Sequence, residues 1–532
     1  IHVSLVDRDE GWYAQVAREM ATTGDWVLPT YQGQPWLGKP PLLYWMAAPV
    51  VSVAGRSEAA LRLIPLLAMT ISVQLVATLG ARLFNRRTAL VAAIAFATAT
   101  MPAILGRLFI TDALLLAFVL AAALLMEAIS RHGTTVVRAI WLGILIGLGI
   151  LTKGPPILLY VLGILAALLI SRCDRQWAKD IRFWTWVPIA CLLFVPWYAA
   201  VAARAADTLW SQLFVYEFFA RFTAPAHGHV GPPGYYFVTS LGGWLPWTPL
   251  IPGAVFAAWR TRRRHPALAF CFWWFAIPWL ILELVPGKLP HYVLPCYAPI
   301  ALMFGSLWDV GVDRAISVHQ RRALYAWFVM PVLGGTALLA LLTGATWRAD
   351  VPLSLPPLGT ALTATILILG GIAGMRSIAK TRLHQAFSFC MVMTTAFWLC
   401  LGTTVLPFYE PQRLSRKIAN AVNQVAQKRD QIVAVGYDEP TLFFYLDHPA
   451  KSMTQTKFSQ RFSGPGADGE HVVAILSTSG AAELRQNQGT HDRWKEVARI
   501  SGLNYVNGRT VEVIIMRGAK TPTGEDEAPA EP

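Results

Sequence analysis

Charge is scarce in this sequence. Only 14% of its 532 residues are Asp, Glu, Lys or Arg, where soluble domains carry roughly 25%, and 55% are hydrophobic. That imbalance points to lipid as the solvent. Cysteine is sparse as well. The six, Cys173, Cys191, Cys271, Cys296, Cys390 and Cys400, lie in or beside apolar runs, and the polar C-terminal segment has none. Neither a disulfide framework nor a zinc-ligand spacing appears. No internal repeat appears, which argues against the paired halves common in transporters.

Apolar runs fill the middle of the chain instead. They fall near residues 61–81, 88–105, 108–129, 138–152, 155–171, 183–203, 235–259, 266–285, 291–308, 323–343, 356–375 and 385–407, many close to the roughly 20 residues that span a bilayer as a helix. The reading is a polytopic all-α membrane protein with about twelve transmembrane helices. The net charge of +14 would suit a polyanion, but the basic residues sit in short loops between the runs. Alternate loops hold Arg82, Arg86 and Arg87; Arg131 and Arg138; Arg172, Arg175, Lys179 and Arg182; Arg260, Arg262, Arg263 and Arg264; Arg314, Arg321 and Arg322; Arg376, Lys380 and Arg382. The positive-inside rule makes these loops cytoplasmic. Residues 1–60, the turns at Arg107–Asp112, Lys153 and Lys288, the loop 204–233 and the C-terminal segment then face the other side. The charge is read as topology, with no nucleic-acid partner. The chain begins at Ile1 and its first long segment is polar, so this topology expects a helix upstream.

Four regions follow: an outer loop with interfacial helices at 1–60, a transmembrane bundle at 61–407, a small soluble α/β domain at 408–518 and a disordered tail at 519–532. In the first, Trp12, Val16 and Met20 recur at helical spacing and Leu42–Val53 is apolar but short, which predicts helices lying in the interface with their apolar faces toward lipid. In the third, a helix-like run from Arg413 to Lys428 accompanies the strand-like QIVAVGY, HVVAILS and TVEVIIM. The tail is rich in Pro, Glu and Ala.

Ionisable residues at the edge of a bilayer are costly and therefore informative. Asp7, Asp9 and Glu10 open the first helical segment, where acids also favour a helix N-terminus. Asp112 begins an otherwise uncharged span, and a plain capping role is open there too. Lys39 in LGKPPLLYW, Lys153 in LTKGPP and Lys288 in GKLPHY each lie beside Gly or Pro. Each suits snorkelling to water, and the three together suit anchored anion ligands. His227 and His229 in AHGHVGPPGYY are open to three readings, as metal ligands, ligand contacts or loop residues; their i, i+2 spacing is weak metal evidence. Acids beside cations at a membrane mouth fit transfer of a sugar from a lipid phosphate. The phosphate leaves without a strong acid, cations take the developing charge, and an Asp accepts the attacking hydroxyl's proton.

The motifs DRDEGWYAQVAREM, GDWVLPTYQGQPWLGKPPLLYW, RLFITDALL, GLGILTKGP, VPWY, AHGHVGPPGYY and GKLPHYVLPCYAP run in order from residue 7 to about 299. In them the chain resembles the lipid-phosphate-sugar glycosyltransferases of the protein O-mannosyltransferase superfamily, glycosyltransferase family 39, and its bacterial aminoarabinose transferase-like branch. The resemblance implies the membrane-bound glycosyltransferase class C fold. It implies an inverting transferase in the bacterial inner membrane with its site facing the periplasm. The donor would be a sugar (pentose, aminopentose or hexose) on a polyprenyl phosphate such as undecaprenyl phosphate, and the acceptor lipid A, another glycan or a protein. Asp9 is then the first-loop catalytic acid, with Glu10 and Tyr13 beside it. Lys39 is the ligand of the donor phosphate and Asp112 the second-loop acid, while Lys153, His227, His229, Lys288, His291 and Tyr292 line the site. Aminoarabinose transferases tend to carry Glu before the phosphate-binding Lys, a metal-ligand position, and here it is Gly38. No cofactor is fixed by the resemblance, and a divalent metal and the lipid A acceptor stay open. A transporter or lipid flippase, and a lipid-linked glycan polymerase or ligase, are the rival readings.

Overall fold

The computed structural model describes residues 3–172, 174–219, 230–309, 318–342, 356–409, 413–462, 471–486, 494–504 and 509–518. Two compact units divide the chain: residue 1 with 36–46 and 59–408, and residues 2–35, 47–58 and 409–532.

The first unit is helical. Helix α1 (Asp9–Thr23) and most of α2 (Leu42–Ala54) fall in the second unit; α3 (Glu58–Leu83), α4 (Arg86–Thr98), α5 (Thr100–Leu105), α6 (Asp112–His132), α7 (Val136–Lys153) and α8 (Pro156–Ser171) open the first. Among the described residues eight helices are long and apolar enough to cross a membrane: α3, α6, α7, Phe183–Val215, Pro266–Leu284, Arg321–Leu342, Pro357–Ala379 and Leu383–Phe408. This is a multi-pass membrane protein. The other four apolar runs of the sequence are helical too, but short or broken. The run at 88–105 is split into α4 and α5, and that at 235–259 into Tyr235–Gly243 and Ile251–Thr261; α8 and Leu294–Asp309 have 16 residues each. Pro246 and Pro249 fall in the break between Tyr235–Gly243 and Ile251–Thr261, where proline removes a backbone donor and crowds the preceding turn.

Many large apolar side chains stay outside, including Trp184 at 86% and Leu284 at 84% exposure. Such a surface is stable against hydrocarbon, not water. Helices approach closely where small residues allow it. On α7, Cβ atoms at Gly143 and Gly147 would lie 2.5 Å from the Trp186 carbonyl oxygen and 2.9 Å from the Leu193 side chain of Phe183–Thr208.

The second unit holds a five-stranded sheet. Strands β1 (Thr30–Tyr31) and β2 (Gln34–Pro35) make a small hairpin, and β3 (Gln431–Val435), β4 (Ala450–Ser452), β5 (Val472–Ser477), β6 (Trp494–Asn504) and β7 (Arg509–Gly518) pair in the order β4-β3-β5-β7-β6. β3 runs parallel to β4 and β5, and β7 antiparallel to β5 and β6. QIVAV and VVAIL are almost wholly buried, as expected for parallel strands covered on both faces. Val433, Val435, Leu476, Ile514 and Met516 pack with Phe458, Phe462 and Trp494.

Here one expectation is corrected. The apolar face of α1 does not turn to lipid: Val16 is 0% and Met20 1% exposed, and the helix packs on Pro440–Tyr445 of the C-terminal segment. Gly11 makes this contact feasible, since a Cβ there would stand 2.7 Å from the Thr441 nitrogen. Polar bonds fix the pairing. Asp7 accepts from the Thr441 N–H at 2.8 Å and hydroxyl at 2.6 Å. Arg18 donates to the carbonyls of Phe443 (2.9 Å) and Phe444 (3.2 Å), oxygens that a helix end otherwise leaves unsatisfied.

Candidate active site

Asp112 stands at the start of α6 and Lys153 at the end of α7. Each sign sits at the helix end whose dipole favours it, and the antiparallel packing of the two helices brings the ends together. The Lys153 ammonium donates to Asp112 Oδ1 at 2.6 Å, with the side chains 11% and 8% exposed. Asp112 is therefore more than a helix-end acid. Thr111, the residue before it, makes no side-chain cap.

A 3-10 turn, Pro290–Val293, carries two more groups to the pair. His291 Nε2 is 3.8 Å from Asp112 Oδ1, and the Tyr292 ring centre lies 5.2 Å from the Lys153 ammonium, within cation–π range. Lys39 follows a loop whose Leu37 N–H donates to Gln212 Oε1 at 2.9 Å, and its ammonium donates to the Gly38 carbonyl at 2.8 Å.

Lys39, Asp112, Lys153 and Tyr292 line one cavity of about 660 Å³. Its remaining walls are mostly apolar, among them Leu115, Leu159, Leu213, Phe214 and Ile281. Tyr160 of α8 also lines it and donates its hydroxyl to the Tyr292 carbonyl. This tyrosine went unnoticed in the sequence, although it is the one polar aromatic in PILLYVLGILAALLIS.

Lys288 is not among the residues that line this cavity. The Lys288 ammonium, 3% exposed, donates to the carbonyls of Pro232 (3.0 Å) and Glu283 (2.8 Å) and lies 3.4 Å from Glu283 Oε2. Glu283 in turn accepts from the N–H groups of Gly234 and Tyr236, both at 3.1 Å. Lys288 is thus a clamp holding the Pro232–Tyr236 turn to the helix Pro266–Leu284. In the second unit Asp9 is exposed, whereas Glu10 is 2% and Tyr13 5% exposed. Glu10 accepts from the Val6 N–H at 2.8 Å, so it serves the loop's own backbone. His227 and His229 lie outside the described residues.

Residues 38–199 match the family model described as dolichyl-phosphate-mannose-protein mannosyltransferase. In this segment the chain is similar to that mannosyltransferase family. The chain is also 31% identical over 340 residues to the undecaprenyl phosphate-alpha-4-amino-4-deoxy-L-arabinose arabinosyl transferase of Aeromonas salmonicida, covering 62% of each. It is 30% identical to the protein of the same description from Pectobacterium atrosepticum over 63% of this chain and 60% of that one. The chain thus spans about three fifths of the length of these relatives. Its fold is that of the crystal structure of ArnT from Cupriavidus metallidurans bound to undecaprenyl phosphate, at TM-score 0.74, 22% identity and coverage of 96% of this chain and 94% of that chain.

The glycine at position 38, a departure from the pattern expected from the sequence, has a local cause. Gly38 lies against the Trp36 indole, and a Cβ would stand 2.6 Å from its ring. A Glu at this position has no room unless Trp36 moves. Among the described residues no group of three His, Cys, Asp or Glu side chains is placed to hold a metal.

Proposed function

We propose that this chain is an inverting glycosyltransferase that moves a sugar from a polyprenyl-phosphate donor to a lipid A, glycan or protein acceptor. Its site would face the periplasm from a bacterial inner membrane crossed about twelve times. The observation that carries this reading is the cavity. Lys39 and Lys153 give it positive charge and Asp112 a carboxylate, while the other walls suit the first isoprene units of a lipid. The relatives named for transfer from undecaprenyl phosphate and the ArnT structure that binds it support the same donor.

In this reading Lys39 holds the donor phosphate and takes up negative charge as the bond from the anomeric carbon to the phosphate oxygen breaks. Lys153 is steadied by Asp112 and Tyr292. Asp9 accepts the proton of the acceptor hydroxyl as that oxygen bonds to the anomeric carbon from the opposite face. The phosphate leaves as the free polyprenyl monophosphate. Because Gly38 brings no carboxylate, the steps run on the chain's own lysines and acids.

The test is transfer by the purified full chain in lipid nanodiscs with undecaprenyl-phosphate-linked sugars and candidate acceptors, followed by mass spectrometry. Asp9→Asn and Lys39→Ala should each lower turnover by at least two orders of magnitude while the protein still folds. Wild-type turnover in either variant, or vesicle flux of the donor without a new glycosidic bond, would overturn the proposal.

A further inference from the structure

A second cavity lies at the other ends of α6 and α7. It measures about 650 Å³ and is lined by Arg82, Glu127, Arg131, His132 and Arg138, with Trp141 and several leucines. Asp112 and Arg131 are 19 residues apart on α6, roughly 30 Å along the axis, so the two cavities belong to opposite faces of the bilayer. The loop charges assign this one to the cytoplasmic face.

Its charges do not cancel. The Glu127 carboxylate, 1% exposed, pairs with Arg131 and lies 3.6 Å from Arg172, so one acid faces two guanidinium groups. Arg138 turns to the carbonyls of His132 (3.3 Å) and Gly133 (2.6 Å), and Arg82 makes no ion pair among the described residues. Arg131 donates to the Arg82 carbonyl at 3.1 Å, which ties the ends of α3 and α6 together. Below the charges, Leu75, Leu124, Leu125 and Leu145 line the same cavity, one helical turn or more toward the mid-plane. Trp141 is 54% exposed beside them, where an indole favours the headgroup level.

From this arrangement we infer a binding site for one anionic phospholipid of the cytoplasmic leaflet, its phosphate among Arg82, Arg131 and Arg138 and its acyl chain along the leucines of α3, α6 and α7. Basic pockets between transmembrane helices bind such headgroups. The depth of the apolar wall favours a lipid over free phosphate.

The test is native mass spectrometry of the full chain released from detergent, with phosphatidylglycerol, phosphatidylethanolamine or inorganic phosphate added. Phosphatidylglycerol should be retained in preference to the zwitterionic lipid, and phosphate should not compete at equal concentration. Arg82→Ala, which removes an exposed side chain, should lower retention about fivefold, and Arg82→Ala with Arg138→Ala about twentyfivefold, near one fivefold step per cation. Arg138→Lys should keep most of it. Equal retention of the two lipids, displacement by phosphate alone, or unchanged retention in Arg82→Ala overturns the inference. The single variant decides the matter if the double one fails to fold.

Discussion

Asp112 and Lys153 are nearly buried and 2.6 Å apart, so neither side chain tolerates loss of the other. Lys153→Met leaves a carboxylate without its cation and should cost about 3–5 kcal/mol, read as a lower midpoint of thermal unfolding in detergent. Pairing it with Asp112→Asn should return most of that stability, while the transfer proposed above stays lost. Recovery of both together would make the pair purely structural. Gly38 makes a second point about single positions. Gly38→Ala drives a methyl into the Trp36 ring and should destabilise by about 1–3 kcal/mol. Glycine was legible here only as a departure from a family pattern, because the indole that excludes a side chain reaches it through the fold. The acid and lysine candidates were legible one by one from their cost near a bilayer. What the sequence could not separate was Lys288 from Lys153: both precede or follow glycine and proline, but one is consumed by two carbonyls and Glu283 and the other faces the cavity.

At the scale of elements, hydrophobic length identified the spans well and their continuity poorly. All twelve apolar runs are helical, yet the breaks after Thr98 and Gly243 arise where the two segments meet: the Thr100 N–H donates to the Leu245 carbonyl at 3.0 Å. No periodicity reveals such a pairing. The same holds for α1. Its amphipathic face was visible, but an apolar stripe reads alike whether lipid or protein covers it. The partner, Pro440–Tyr445, lies more than 400 residues away in the chain. Thr441→Val removes the hydroxyl that donates to Asp7 at 2.6 Å and leaves the bond from the Thr441 backbone N–H in place. It should cost about 1–3 kcal/mol and expose residues 3–35 to limited proteolysis; unchanged protection would show that apolar packing alone holds α1. Tyr445 acts on the same element. Its hydroxyl accepts from Leu5 N–H at 2.9 Å and donates to Glu58 at 3.0 Å, and burial, with Glu58 beside it, pushes its ionisation well above the ordinary phenol range. The contribution of the neutral phenol is present below the unfolded value near 10 and is lost as pH rises through the higher folded one. Tyr445→Phe should therefore be less stable than wild type at pH 8, with the difference shrinking in strong alkali, as followed by chemical denaturation.

For the molecule as a whole, the loop charges make a claim about orientation that single-cysteine labelling checks directly. In a background with the six native cysteines replaced, a cysteine at Gly133 should react only with a reagent that enters the cytoplasm. One at Asp9 should react from outside in intact cells whose outer membrane has been made permeable. The reverse pattern would invert the assignment and with it the leaflet of the phospholipid site.

The α6–α7 pair has one further consequence, and it concerns how the chain is made. Its open ends carry Asp112 and Lys153, and in the topology that the loop charges propose both would pass through the hydrocarbon when the hairpin enters the bilayer during synthesis. Alone, each would oppose insertion by roughly 2.5–3.5 kcal/mol if it were central in its helix. Joined by the short turn Gly133–Thr135, the two helices can enter as a unit in which the charges neutralise each other before they reach water. An insertion assay on the isolated hairpin should show efficient entry with both residues or with both made neutral, and poorer entry with either charge alone. Equal insertion of all four would mean that the bond forms only after the helices are in place.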